Sequence, residues 1–152
     1  MSGAFVSSEL DGLTDVLRRL NAVGNPRRVA EGLANIGGLV ESQTRARFDE
    51  RETPEGEAWA PWSDSYAATR TMGQSLLVGS GAYRDSYAWD LTGDTLRVGS
   101  NMVQAALLNF GGTSDMAPGP AAVPARLHLG VSDANVVEIE DVMGEWIEGL
   151  MQ

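Results

Sequence analysis

The chain contains no cysteine, no lysine and one histidine among its 152 residues. The missing thiols exclude disulfides, thiolate metal sites and cysteine nucleophiles together. By the compartment rules for thiols, the same absence points to an intracellular protein. One histidine without cysteine leaves the familiar zinc sites short of ligands. Gly79-Ser80-Gly81 has the look of a phosphate loop, but a P-loop needs a lysine and the dinucleotide pattern a third glycine at fixed spacing. Acidic residues do not fall at the alternating ligand positions of a calcium loop. No apolar run is long enough to span a bilayer, and the start, Met1 to Val6, lacks the basic end and long apolar centre of a signal peptide, so a soluble chain without a membrane partner is expected.

Positive charge is scarce. Eleven basic residues, all arginine, face 21 acidic ones, a formal charge of −10. Such a surface repels phosphate backbones, and no sequence-specific nucleic-acid binding is expected. An all-arginine basic set reads either as base-composition bias or as forks for protein–protein contacts. Composition alone does not separate the two.

What is present is organised around the stretch from Leu76 to Gly130. Tyr87, Trp89 and Leu91 alternate with Ser86, Ala88 and Asp90, and Leu96 and Val98 alternate with Thr95, Arg97 and Gly99. Gly93-Asp94 supplies the turn, which predicts a hairpin over about 86–100. A lone two-stranded hairpin is marginal in water and needs cover for its apolar face. Amphipathic stretches on either side supply it. Leu10, Leu13, Val16, Leu17 and Leu20 make one helical face, capped by Ser7 or Ser8. Asn25-Pro26 opens a second helix carrying Val29, Leu33, Ile36, Val40 and Phe48. Within it, Gly37-Gly38 marks either a bend, the preferred reading, or a close approach by another backbone. Ser132-Asp133 caps a last helix whose apolar face is Val136, Ile139, Met143, Trp146, Ile147 and Leu150. With no repeat and no second core, the chain reads as one α+β domain over 1–152, a small antiparallel sheet packed against N-terminal and C-terminal helices.

Between these elements, Arg45 to Glu52 reads as a solvated charge run. Loops with flexibility are expected over about 50–62 and 112–122, from Pro54, Gly56 and Pro61 and from Pro118, Gly119 and Pro120. Trp59 and Trp62 in the first loop must pack on the domain or on a partner. Ser63 caps a short helix to about Arg70, and Asn101 one from Met102 to Asn109, closed by Gly111-Gly112. Val123 to Gly130 is extended, a candidate further strand. For chemistry, His128 lies between Leu127 and Leu129 and reads as structural, since no Gly-x-Ser-x-Gly elbow accompanies it. The pairs Asp49/Glu50 and Glu138/Glu140 read as solvated charge. No catalytic residues, metal or cofactor are expected.

Taken in order, Arg47-Phe48, Trp59-Ala60-Pro61-Trp62-Ser63, Gly81-Ala82-Tyr83-Arg84-Asp85-Ser86, Gly93-Asp94 with Val98-Gly99-Ser100-Asn101, Asn109-Phe110-Gly111-Gly112 and Pro124 to Asp133 resemble the virion morphogenesis, or tail completion, proteins of Mu-like phages. The similarity covers Phe48 to the C-terminus and lies in the order and spacing of the elements. Departures are Leu127-His128 where Pro-Phe is usual, Tyr83 for leucine, and Gln104-Ala105 for a Tyr-Ala pair. The resemblance implies a virion protein that completes the tail or the head–tail neck as a homo-oligomeric, six-fold ring, with other phage neck and tail proteins as partners. Thr113 to Ala122, a ten-residue loop without apolar anchors, is expected to order on assembly, and the acidic surface is read either as plain solubility or as facing, in part, a lumen through which DNA passes. Candidate interface residues are Trp59, Trp62, Arg84, Phe110, Gly111, Gly112 and Arg126, with a buried ion pair as the alternative role for the two arginines. The rival readings are a small acidic DNA mimic that inhibits a host enzyme, and an enzyme built on Ser, Asp and His128.

Overall fold

A computed structural model describes residues 18, 19, 21–93, 95–113, 115 and 123–152. Most of the helix expected from Leu10 to Leu20, all but Arg18 and Arg19, and most of Thr113 to Ala122 fall outside them. The longest element starts where the sequence places it: Asn25 accepts the Arg27 N–H at 3.0 Å, and Pro26 is the first residue of α1 (Pro26–Glu50). The helix stops at Arg51, which takes the left-handed conformation at φ 60° and donates its N–H to the Arg47 carbonyl at 2.7 Å.

The hairpin forms in the expected register. Strands β1 (Ala88–Thr92) and β2 (Thr95–Gly99) pair from Ala88 opposite Gly99 to Thr92 opposite Thr95. Only Gly93-Asp94 is left for the turn, with Gly93 at φ 63°, the sign a tight hairpin turn demands. Its covered face lies on α1 at Gly37. A Cβ there would sit 2.8 Å from Trp89 Cγ and Cδ2 and 2.9 Å from Leu96 Cδ1. The alternative of a close backbone is corrected: α1 is helical throughout 37–38, and side chains of the hairpin, not a second backbone, make the close approach. Gly38 faces open space.

The final helix, α5 (Asp133–Leu150), begins with a reciprocal cap in which Ser132 and Asn135 each bond the other's backbone N–H. It runs antiparallel to α1, since Asn135 meets Arg47 and Glu138 meets Gln43. Three short helices complete the set: α2 (Asp64–Ala67), α3 (Ala82–Asp85) and α4 (Ala105–Phe110). The helix expected from Met102 starts three residues later, and the Met102 N–H bonds Ser100 Oγ at 3.1 Å.

Instead of one core, α1 carries two buried clusters. Leu33, Ile36 and Val40 pack with Ile139 and Met143 under the hairpin side chains. Phe48 packs with Trp59, Tyr83, Tyr87 and Ala105. Residues 123–130 are extended but form no strand. Side chains and single backbone bonds take the polar groups a ladder would use: Asn109 Oδ1 accepts the His128 and Leu129 N–H groups, and Arg126 N–H reaches the Leu108 carbonyl. At its start, the Gly112 N–H bonds the Val123 carbonyl at 2.8 Å, and a Cβ at Gly111 would fall 2.8 Å from Val123 O and Ala125 N. Glycine is required there by the contact as well as by φ 78°.

Candidate functional site

The strap 123–130 closes over the second cluster, and His128 is its keystone. The side chain is fully buried, with Nδ1 2.6 Å from the Arg126 carbonyl. A carbonyl only accepts, so Nδ1 carries the proton and Nε2 is the acceptor. Facing Nε2 are the hydroxyls of Tyr87 at 2.6 Å and Tyr83 at 2.8 Å, themselves 2.9 Å apart. One hydroxyl donates to the ring nitrogen and the other passes its proton to its neighbour's oxygen, which satisfies all three groups. Phe48 and Trp59 wall the cluster with ring centroids 4.9 and 5.9 Å from the imidazole. Burial pushes the His128 pKa down to about 4, helped by the nearby Arg47 charge and opposed by the Arg126 carbonyl. Burial likewise raises Tyr83 to about 12 and lifts Tyr87 further. All three are neutral near pH 7. Among the described residues no serine or carboxylate bonds His128, so the triad considered for an enzyme is not assembled.

Arginines fasten the surroundings through main-chain carbonyls. Arg47, in the stretch expected to be a solvated run, is 4% exposed. It donates to the His128 carbonyl at 2.6 Å, the Gly130 carbonyl at 2.8 Å and Asn135 Oδ1 at 2.7 Å. Desolvation lowers its pKa. A signal was available: Val40, Thr44 and Arg47 continue the buried face of α1 at helical spacing. Arg126, also buried, donates from Nε to the Ala60 carbonyl at 2.8 Å and from the guanidinium tip to Pro61 at 3.0 Å. Neither role is the buried ion pair considered for Arg126. Trp59 adds a parallel tie, Nε1 to the Leu127 carbonyl at 2.8 Å. The stretch 50–62 is thus irregular but tethered, with Glu52 bridged to Ala58.

The seven residues expected at an interface separate into groups. Trp59 and Arg126 are interior to the folded chain. Trp62 is half-buried, edge-on to the exposed Tyr66 at 6.1 Å. Arg84 is half-buried and bonds Asp85 at 2.9 Å, with Asp49 3.7 Å away. Gly111 and Gly112 lie at the strap's start, and Phe110 beside them is 56% exposed. On the opposite side of Arg47, a groove of about 380 Å³ opens between α1, the turn at 52–56 and the start of α5. Leu39, Gln43, Glu50, Pro54 and Glu138 line it.

Comparison with known proteins gives two matches and one blank. The model of the phage virion morphogenesis family matches residues 8–148. The putative capsid assembly protein G of Escherichia phage Mu is 34% identical over 116 residues, covering 73% of this chain and 74% of that one. No solved structure matches.

Proposed function

Because the chain belongs to the phage virion morphogenesis family, we propose that it completes the phage tail, or the neck between head and tail, by assembling as a six-fold ring of identical copies. A structural role in building the particle follows from the family and from the Mu relative. The match over 8–148 supports the reading, because it takes in the described elements up to two residues short of the end of α5 rather than one motif. The buried chemistry is consistent with it. The only histidine and both inward-facing tyrosines are spent on holding the strap, while Phe110 and Tyr66 stand exposed for neighbours.

Removal of the gene from its phage, followed by imaging of the particles, tests the proposal. Filled heads beside unjoined or unterminated tails are expected, with joining restored by supplying the chain in trans. The Mu relative is named for capsid assembly. Malformed heads beside normal tails would therefore move this protein to the head and overturn the tail reading.

A further inference from the structure

The first turn of α1 is basic and unrelieved, with Arg27 and Arg28 and no acidic residue, an arrangement the helix dipole disfavours; its last turn holds exposed Asp49 and Glu50 beside the buried Arg47. A helix presents partial positive charge at its N-terminus and negative at its C-terminus, so the stability of α1 itself does not account for this pattern. Arg19, Arg27 and Arg28 are all exposed, and no acidic residue occurs between Asp15 and Glu31. Arg28 meets Glu31 at 3.3 Å with both side chains about half exposed, a surface contact that exchanges readily. α5 brings Glu145 and Glu148 back towards this end, yet among the described residues Arg27 and Arg28 pair with neither.

The groove lies at the other end, with Glu50 roughly 35 Å along the helix from Arg27 at 1.5 Å per residue. Glu50, Glu52 and Glu138 line it, and among the described residues no arginine stands within ion-pair distance of any of them. Glu138 Oε2 receives the Gln43 Nε2–H at 2.6 Å, which leaves the other Glu138 oxygen and the carboxylates of Glu50 and Glu52 without a donor among the described residues. Arg47 on the floor is committed to His128, Gly130 and Asn135. Acceptors are in surplus and donors are missing. A guanidinium, planar and carrying five N–H donors, suits such a site, and in a lysine-free chain every cationic side chain is one.

We propose that the groove receives Arg27 and Arg28 of a second copy, joining copies head to tail. Two different, well-separated surfaces make the contact heterologous: each added copy presents a fresh head and a fresh groove, and the series closes into a ring when the rotation allows. The inference rests on the ring reading above and names the contact that would build it.

Charge reversal with complementation tests it. R27E/R28E removes the basic head and E50R/E138R inverts the groove; far-UV circular dichroism checks that each folds. Self-association is measured by sedimentation at low and high salt, and incorporation is measured in a phage lacking the gene. Wild-type association should weaken with salt, and each variant alone should associate at least tenfold more weakly and fail to enter particles. An equimolar mixture should recover both, because each variant's head suits the other's groove. Normal incorporation of either variant alone, or a mixture of folded variants that recovers nothing, overturns the contact but leaves the ring reading standing. That reading falls separately, if particles without the polypeptide are joined and infectious.

Discussion

Alanine at Gly38 should raise stability whereas alanine at Gly37 should leave it unchanged or lower it, although the two sites are adjacent in one helix. Replacing a helix-interior glycine by alanine gains about 1 kcal/mol of helix propensity at either site. At Gly38 nothing lies within 4 Å of the new methyl, so the full gain should appear. At Gly37 the methyl would meet the Trp89 ring at 2.8 Å and Leu96 at 2.9 Å, inside the roughly 3.5–4.0 Å of an ordinary carbon contact. Overpacking of that kind costs about 1–3 kcal/mol, which cancels or outweighs the propensity gain. Propensity drops out of the difference between the variants, leaving G37A about 1–3 kcal/mol below G38A. For a domain of this size each kcal/mol moves the melting temperature by about 2–4 °C. Urea titration followed by far-UV circular dichroism measures the gap. In a W89A background the indole part of the clash is gone and only the Leu96 methyl remains, so the gap between G37A and G38A should narrow. Equal stabilities for G37A and G38A in the native background would refute the claim that the hairpin seats on Gly37.

Arg51→Gly should raise stability by roughly 0.5–1 kcal/mol, since the exposed Arg51 holds a left-handed φ of 60° that glycine adopts freely; thermal melts give the sign. Acid should weaken the fold through His128, whose pKa falls from 6.5 to about 4 on folding. The unfolded chain takes up the proton first, so this contribution is complete above pH 6.5 and lost between 6.5 and 4, on the order of 3 kcal/mol. Stability measured across that range should fall in wild type and fall less in a folded H128Q variant. Raised tyrosine values act at the other extreme: the share due to Tyr83 is complete below pH 10 and lost as pH climbs towards 12. Arg47→Lys should cost about 3 kcal/mol or more despite keeping the charge, because one ammonium cannot replace a fork serving three acceptors; a lysine variant as stable as wild type in urea would contradict that role.

Local signals carried most of the architecture. Asn25-Pro26, Ser63 and Ser132-Asp133 each start a helix where the residue types say so, and Gly93-Asp94 sets the hairpin register. These features depend on neighbours in the chain. What escaped depends on distant partners. Arg47 looks like surface charge until the carbonyls of His128 and Gly130, more than 80 positions away, arrive to receive it. Residues 123–130 alternate like a strand but lack a partner strand, because Asn109, Trp59 and Arg47 take their polar groups instead. The glycine pair read as a bend or a close backbone, and neither reading anticipated the indole of Trp89 against Gly37. For the site, His128 between two leucines was correctly read as structural, but nothing local showed that Tyr83 and Tyr87 would meet it.

The bond between Gly112 and Val123 has a practical corollary. It holds the residues on either side of the intervening ten next to each other, so added chain between them need not move either end. Lengthening such a loop adds only about 0.6 kcal/mol per doubling. A fluorophore, an affinity epitope or a small folded guest spliced in after Thr113 would therefore leave both buried clusters unstrained. The position offers a handle for locating each copy within an intact particle.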